Sequence, residues 1–160
     1  MASGGTTHKL QALLGGRTVL EHTLDAVRAS GLPWHLEDAG HPGMGDSIAA
    51  AVGATQSAAG WLIVLGDLPL IQPNTLRAIS AALRDHDVVV PTYKGIRGHP
   101  VGFSASCRDL LLNLKGDQGA AAIVKSMGGA MLEMDDVGVI HDIDTVADLE
   151  HARRLMGLPV

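Results

Sequence analysis

The sequence predicts an α/β layered fold with a mostly parallel sheet, and three observations carry that prediction. Apolar runs of strand length alternate with segments whose apolar residues recur at helical spacing. Two runs, Trp61 to Leu65 and Val88 to Val90, are apolar at every position, as expected of strands covered on both faces. The chain has 160 residues, 46% of them hydrophobic, which suits one domain with a sizeable core. Aromatics are only 2%, so that core must come from Leu, Val, Ile and Ala. No repeat, low-complexity tract or linker divides residues 1–160.

The elements follow in order. A first helix is expected over Thr18 to Ser30, with Leu20, Leu24 and Val27 on one face. Thr18 and Glu21 have the spacing of a capping box, and Gly31 and Pro33 end the helix. Trp34 to Leu36 is a candidate short strand, and Met44 to Ala58 a second helix along Met44, Ile48 and Val52. The strand Trp61 to Leu65 breaks at Gly66-Asp67-Leu68-Pro69. Leu76, Ile79 and Leu83 mark the next helix, and strands follow at Asp87 to Pro91 and His99 to Ser104. Two short helices are expected, Arg108 to Leu114 and Gln118 to Met127, then strands at Ala130 to Met134 and Val137 to Ile140. Thr145 should cap the last helix, which buries Leu149, Ala152 and Leu155.

Composition narrows the function. The net charge is −5, from 12 basic and 17 acidic residues, with no basic stripe, so nucleic acid is not an expected partner. No apolar run approaches the roughly 18 residues of a membrane span, and no membrane association is expected. A single cysteine, Cys107, excludes an internal disulfide and fits a cytoplasmic chain. Cys107 and the methionines at 127, 131 and 134 read as packing residues. His141 lacks the neighbouring His or Cys spacing of a zinc site.

The chemistry should sit at the carboxyl ends of the strands. Asp67 follows one apolar run, and Asp142 with Asp144 follows another. Carboxylates on loop tips, completed by phosphate oxygens, suit Mg²⁺; the alternative is that they only cap turns. Near the amino end, Ser3, Gly4 and Gly5 could close backbone amides on a phosphate, with Lys9 supplying positive charge. Gly43, Gly45 and Ser47 lead into a helix, where glycines permit close approach to a nucleotide; equally, Asp46 or Ser47 could be an N-cap. The segment Tyr93 to Pro100 holds Lys94, Arg97 and His99 among glycines and suits an anionic substrate, whereas Asp117-Gln118 reads as a helix cap. Nucleophile elbow, complete Walker loop and Gly-x-Gly-x-x-Gly are all absent from the sequence.

Taken in order, Gly43 to Ile48, Leu65-Gly66-Asp67-Leu68-Pro69-Leu70, Arg97-Gly98-His99-Pro100-Val101, Gly116 to Ala120 and Asp142-Ile143-Asp144-Thr145 resemble the MobA-like NTP transferases. Within them the likeness is greatest to molybdenum cofactor cytidylyltransferases (MocA-like). The resemblance implies a three-layer Rossmann-like nucleotidyltransferase fold and Mg²⁺-dependent transfer of CMP from CTP to a phosphorylated acceptor, molybdopterin cofactor, with release of pyrophosphate. It implies Lys9, Asp67 and Asp144 as catalytic, with Asp67, Asp144 and Asp142 on the metal. It places Ser3, Gly4, Gly5, Lys9, Gly43, Gly45 and Ser47 at the nucleotide, and Arg97 and His99 at the acceptor.

The chain departs from the family pattern in two places. The apolar strand and Arg that open family members are missing, and the segment near 35–43 is shorter than the strand and helix the family carries there. Related readings are a transferase using GTP or a sugar-phosphate acceptor, and a non-catalytic module that binds a nucleotide or pterin cofactor and serves a molybdoenzyme client.

Overall fold

The computed structural model describes residues 9–159. After a helical turn at 9–11 comes a tight hairpin, β1 (Leu13–Leu14) and β2 (Arg17–Thr18), turning at Gly15-Gly16 with φ of 64° and 85°. Helix α1 (Val19–Ala29) follows directly. Its capping box is complete: the Thr18 hydroxyl accepts from the Glu21 amide and the Glu21 carboxylate accepts from the Thr18 amide. Helix α2 (Met44–Ala54) and strand β3 (Gly60–Ile63) come next, then α3 (Pro73–Ala82) and β4 (Val88–Tyr93). β5 (Ile96–Arg97) and β6 (Val101–Ser104) precede the short helices α4 (Arg108–Leu112) and α5 (Ala121–Met127). Strand β7 (Ala130–Glu133) and helix α6 (Val146–Leu155) complete the order.

The main sheet runs β3-β6-β4-β5, with β7 also paired to β4. Side chains alternate across it. Trp61, Val88, Val90 and Phe103 pack with Ile48 and Val52 of α2, Leu111 of α4 and Ile123 of α5. On the opposite face Leu62 and Val64 pack with Ala26 of α1 and Leu76 of α3. Helices therefore cover both faces, and the three-layer expectation holds. A separate cluster of Leu14, Val19, Ile143 and Ala152 joins the β1–β2 hairpin to α6.

The mostly parallel sheet does not hold. Among the described residues only β4–β7 is parallel; β3–β6, β4–β6 and β4–β5 are antiparallel. The cause is connection length. Parallel neighbours need a crossover of about a dozen residues or more, which α4 and α5 supply between β4 and β7. Only residues 94–100 separate β4 from β6, so β6 must turn back.

Two expected strands are also corrected. Trp34 to Leu36 forms no strand. Val137–Ile140 is a 3₁₀ turn, because the buried Asp136 accepts from the Gly138 amide at 2.8 Å and starts it. Asp136 also accepts from the Gln72 amide and the Thr75 hydroxyl, tying this turn to the start of α3.

Candidate active site

β3 delivers the first carboxylate. Beyond Ile63 the chain leaves the sheet, and the Gly66 carbonyl accepts from the Thr23 hydroxyl of α1 at 2.9 Å. Asp67 follows, and its carbonyl accepts from the Ile143 amide at 2.9 Å. That bond brings 142–144 beside the end of β3. Ile143 is buried in the α6 cluster, flanked by the half-buried Asp142 and the exposed Asp144. Lys9 lies in a helical turn at 9–11 and reaches Asp144 Oδ1 with Nζ at 2.6 Å.

The electrostatics of this corner are lopsided. Asp67 Oδ1 is buried and, among the described residues, has no hydrogen-bond partner. Burial first, and then the charge of Asp142, pushes the Asp67 carboxyl above its ordinary range. Lys9 is raised above the usual lysine value, chiefly by its bond to Asp144, with Asp67 and Asp142 adding to it. Three predicted carboxylates and the predicted lysine thus share one neighbourhood.

The capping alternative for Asp144 does not hold, because Thr145 and Asp148 do that work. The Thr145 hydroxyl accepts from the Asp148 amide, and Asp148 Oδ2 accepts from the amides of Asp144 and Thr145 at 2.9 Å each. Those bonds, the Asp144 amide first, hold the Asp148 carboxyl below its usual range.

Among the described residues, no three His, Cys, Asp or Glu side chains are spaced to enclose a metal ion. A ready cage of Asp67, Asp142 and Asp144 is therefore not formed, since Asp144 is taken by Lys9. Mg²⁺ does not require such a cage: it commonly takes one or two carboxylates, with phosphate oxygens and water completing the shell. The orphaned oxygen of Asp67 in an acidic corner fits a divalent cation on those terms.

The second glycine motif serves packing between loops. A Cβ on Gly43 would lie 2.1 Å from the Gly116 carbonyl oxygen, and one on Gly45 2.5 Å from that of Gln118. Only glycine lets these backbones approach so closely. The Gly45 amide donates to Gly116 O, and Asp46 accepts from the Gly116 amide at 3.1 Å. Gly43 itself occupies the N-cap of α2, so neither Asp46 nor Ser47 does. Likewise α5 starts from Ala120 with no side-chain cap, not from Asp117-Gln118. The motifs 43–47 and 116–120 are two halves of one loop cluster.

Arg97 and His99 sit elsewhere on the sheet's rim. Lys94 and Gly95 turn the β4–β5 hairpin with φ of 49° and 80°, and Glu133 accepts from both of their amides. Next, the Gly98 amide donates to Pro91 O and the His99 amide to Val139 O, each at 2.8 Å. Arg97 and His99 then border a pocket of about 800 Å³ formed by α2, the end of β3, β4, β6 and α5. Lys125 of α5 borders it too; sequence reasoning misses it, because a lysine on a helix surface carries no signal. Ser3, Gly4 and Gly5 lie outside the described residues.

Residues 26–132 match the model of the MobA-like NTP transferase domain. The chain is 35% identical over 127 residues to the purine catabolism protein PucB of Bacillus subtilis, covering 76% of this chain and 62% of PucB. It therefore spans less than two thirds of the length of that curated relative. The manganese complex of Rv0371c from Mycobacterium tuberculosis superposes with a TM-score of 0.75 at 26% identity, covering 92% of each chain. Molybdopterin-guanine dinucleotide biosynthesis protein A of Archaeoglobus fulgidus shares the fold, with a TM-score of 0.66 at 15% identity over 93% of this chain and 90% of that one. Among the described residues, no helix is long and apolar enough to cross a membrane.

Proposed function

The chain belongs to the MobA-like NTP transferase family, and on that premise we propose that it transfers CMP from CTP to a phosphorylated acceptor, molybdopterin cofactor, and releases pyrophosphate. The observation that carries this reading is the buried, unpartnered oxygen of Asp67 beside Asp142, Asp144 and Lys9. Such a corner destabilises itself without a ligand and is suited to a divalent cation accompanied by phosphates. CTP over GTP, and molybdopterin as acceptor, rest on the likeness of the motifs at 65–70 and 97–101.

In the transfer, a terminal phosphate oxygen of the acceptor forms a bond to the α-phosphorus of CTP while the α–β bridge bond breaks. The attacking phosphate, with a second pKa of about 6, is largely ionised at neutral pH and needs no general base. Asp67 and Asp144 would hold Mg²⁺ or Mn²⁺, which supplies charge neutralisation to the phosphates. Lys9, held charged by its acidic neighbours, offers the triphosphate a cation from the same corner. Gly43 to Ser47, fixed by the 116–118 loop, would border the nucleoside. Arg97 and His99 would receive the acceptor's anionic end.

A second reading, a binding module without turnover, is favoured by the Lys9–Asp144 ion pair, which occupies one of the two metal carboxylates. Transfer of label from α-labelled CTP or GTP to molybdopterin cofactor, with Mg²⁺ present, separates the readings. Label moving from CTP faster than from GTP is the expected result. Nucleotide binding with no transfer from either would favour the module.

A further inference from the structure

Thr23 is a buried polar residue at a position where an apolar one would pack. It is 2% exposed and shares the inward face of α1 with Val19 and Ala26. Valine has the same shape and carries no hydroxyl to withdraw from water, so a threonine here needs a partner. A helical threonine commonly returns its hydroxyl to the carbonyl four residues earlier. That contact is present at 3.2 Å to Val19 O, but the Gly66 carbonyl lies closer, at 2.9 Å. The hydroxyl has one proton to donate, and its nearer acceptor is in the turn that carries Asp67.

That turn is tied down residue by residue. The Gly66 carbonyl is held by Thr23, and the Asp67 carbonyl by the Ile143 amide at 2.9 Å. Leu68 is fully buried in the cluster that includes Ala26 of α1 and Leu76 of α3. A Cβ on Gly66 would stand 3.0 Å from Leu20 Cδ1 and 3.2 Å from Leu10 Cδ2, so α1 and the neighbour of Lys9 both close on this glycine. Fixing three consecutive residues holds the Asp67 carboxylate back from water. Its Oδ1 stays buried and, among the described residues, without a partner.

We propose that Thr23 is a positioning residue for Asp67: through the Gly66 carbonyl, its hydroxyl holds the 66–68 turn so that the orphaned carboxylate oxygen stays in place for a divalent cation. A ligand held in its binding geometry beforehand loses less freedom when the ion arrives. This rests on the transferase reading for the purpose of the cation, but the effect of Thr23 is read without turnover. Thr23 acts only through Asp67, so its influence should vanish once Asp67 no longer carries a carboxylate.

The test titrates Mn²⁺ into the full chain, read by the paramagnetic resonance signal of the free ion, and follows amide exchange by NMR in the metal-free protein. Thr23→Val keeps the shape and removes the donor; it should weaken Mn²⁺ binding by about two- to tenfold, the net scale of one hydrogen bond. Thr23→Ser keeps the hydroxyl and should restore most of the affinity. Exchange of the Ile143 amide, which donates to Asp67, should quicken in Thr23→Val by a larger factor than exchange at Ile79, buried in α3. A loss of global stability alone would quicken both alike. Whatever Mn²⁺ affinity remains in Asp67→Asn should fall no further when Thr23→Val is added.

Unchanged Mn²⁺ affinity in Thr23→Val would overturn the proposal, as would equal quickening at Ile143 and Ile79. An equal loss from Thr23→Val in the Asp67→Asn background would overturn it too, because Thr23 would then act by another route. So would a Thr23→Ser protein as weak as Thr23→Val, or a wild type that binds no Mn²⁺. Failure of the transferase reading looks different: Mn²⁺ binding persists with this dependence on Thr23 while no label is ever transferred.

Discussion

Asp136 and Asp67 are both withdrawn from water, and they differ in what they meet there. Asp136 is 2% exposed, yet three donors satisfy it: the Gln72 amide, the Thr75 hydroxyl and the Gly138 amide. Asp136→Ala should therefore destabilise the fold by about 2–4 kcal/mol, read by urea denaturation, because it orphans those donors in the interior. Asp67 has one oxygen with no partner among the described residues, so Asp67→Asn should leave the metal-free fold as stable or more so.

The pH dependence of that difference has a definite sign. Burial raises the folded Asp67 pKa above its ordinary value of 3.8, so the native state prefers the protonated acid. The wild type should match Asp67→Asn at low pH and lose ground as pH rises through 3.8 toward the raised value. Denaturation midpoints of the two proteins across that range measure it; a wild type that gained on the variant with rising pH would contradict the assignment. Asp67 and Asp144 were legible in the sequence because each follows an apolar run and precedes a helix. Lys125 was not, since nothing local distinguishes it from any solvated lysine.

At the scale of elements, hydrogen bonds to helix and hairpin ends decide how firmly the site is held. Thr145→Ala removes the hydroxyl that accepts from Asp148 at the start of α6. It should cost about 1 kcal/mol by thermal melting and should loosen the Asp144 backbone that Asp148 steadies. Glu133 fastens the Lys94-Gly95 turn through two amides and takes a third bond from the Thr92 hydroxyl. Those bonds, Thr92's first, lower its pKa below the ordinary 4.5. The clamp is therefore whole above that value and is lost as pH falls through the folded pKa. Glu133→Gln should raise amide exchange at Lys94 and Gly95 with little effect in the sheet, as NMR hydrogen exchange would show.

Both capping boxes were readable from spacing alone, because Thr18-x-x-Glu21 and Thr145-x-x-Asp148 are local devices. The two hairpins were not found by hydrophobic periodicity, although Gly15-Gly16 is itself a hairpin signal. Val137–Ile140 looks like a strand because it is apolar, yet the buried Asp136 beside it turns the backbone into a 3₁₀ helix.

Across the whole molecule, the end of β3 divides two regions of opposite character. Asp67, Asp142 and Asp144 with Lys9 stand on one side; on the other is an apolar pocket rimmed by Arg97, His99 and Lys125. The layering was legible, since runs such as Trp61 to Leu65 demand cover on both faces. Strand direction was not read from apolarity but follows from the short link between β4 and β6.

The central claim is that the Asp67 corner performs nucleotidyl transfer, and one measurement addresses it most directly. That measurement is acceptor-dependent pyrophosphate release from CTP with Mg²⁺, comparing wild type with Asp67→Asn after both have been shown to be folded. The account predicts release by the wild type and a fall of at least ~100-fold in the variant, the scale lost with one electrostatic element of an active site. Release at the wild-type rate by folded Asp67→Asn would contradict it.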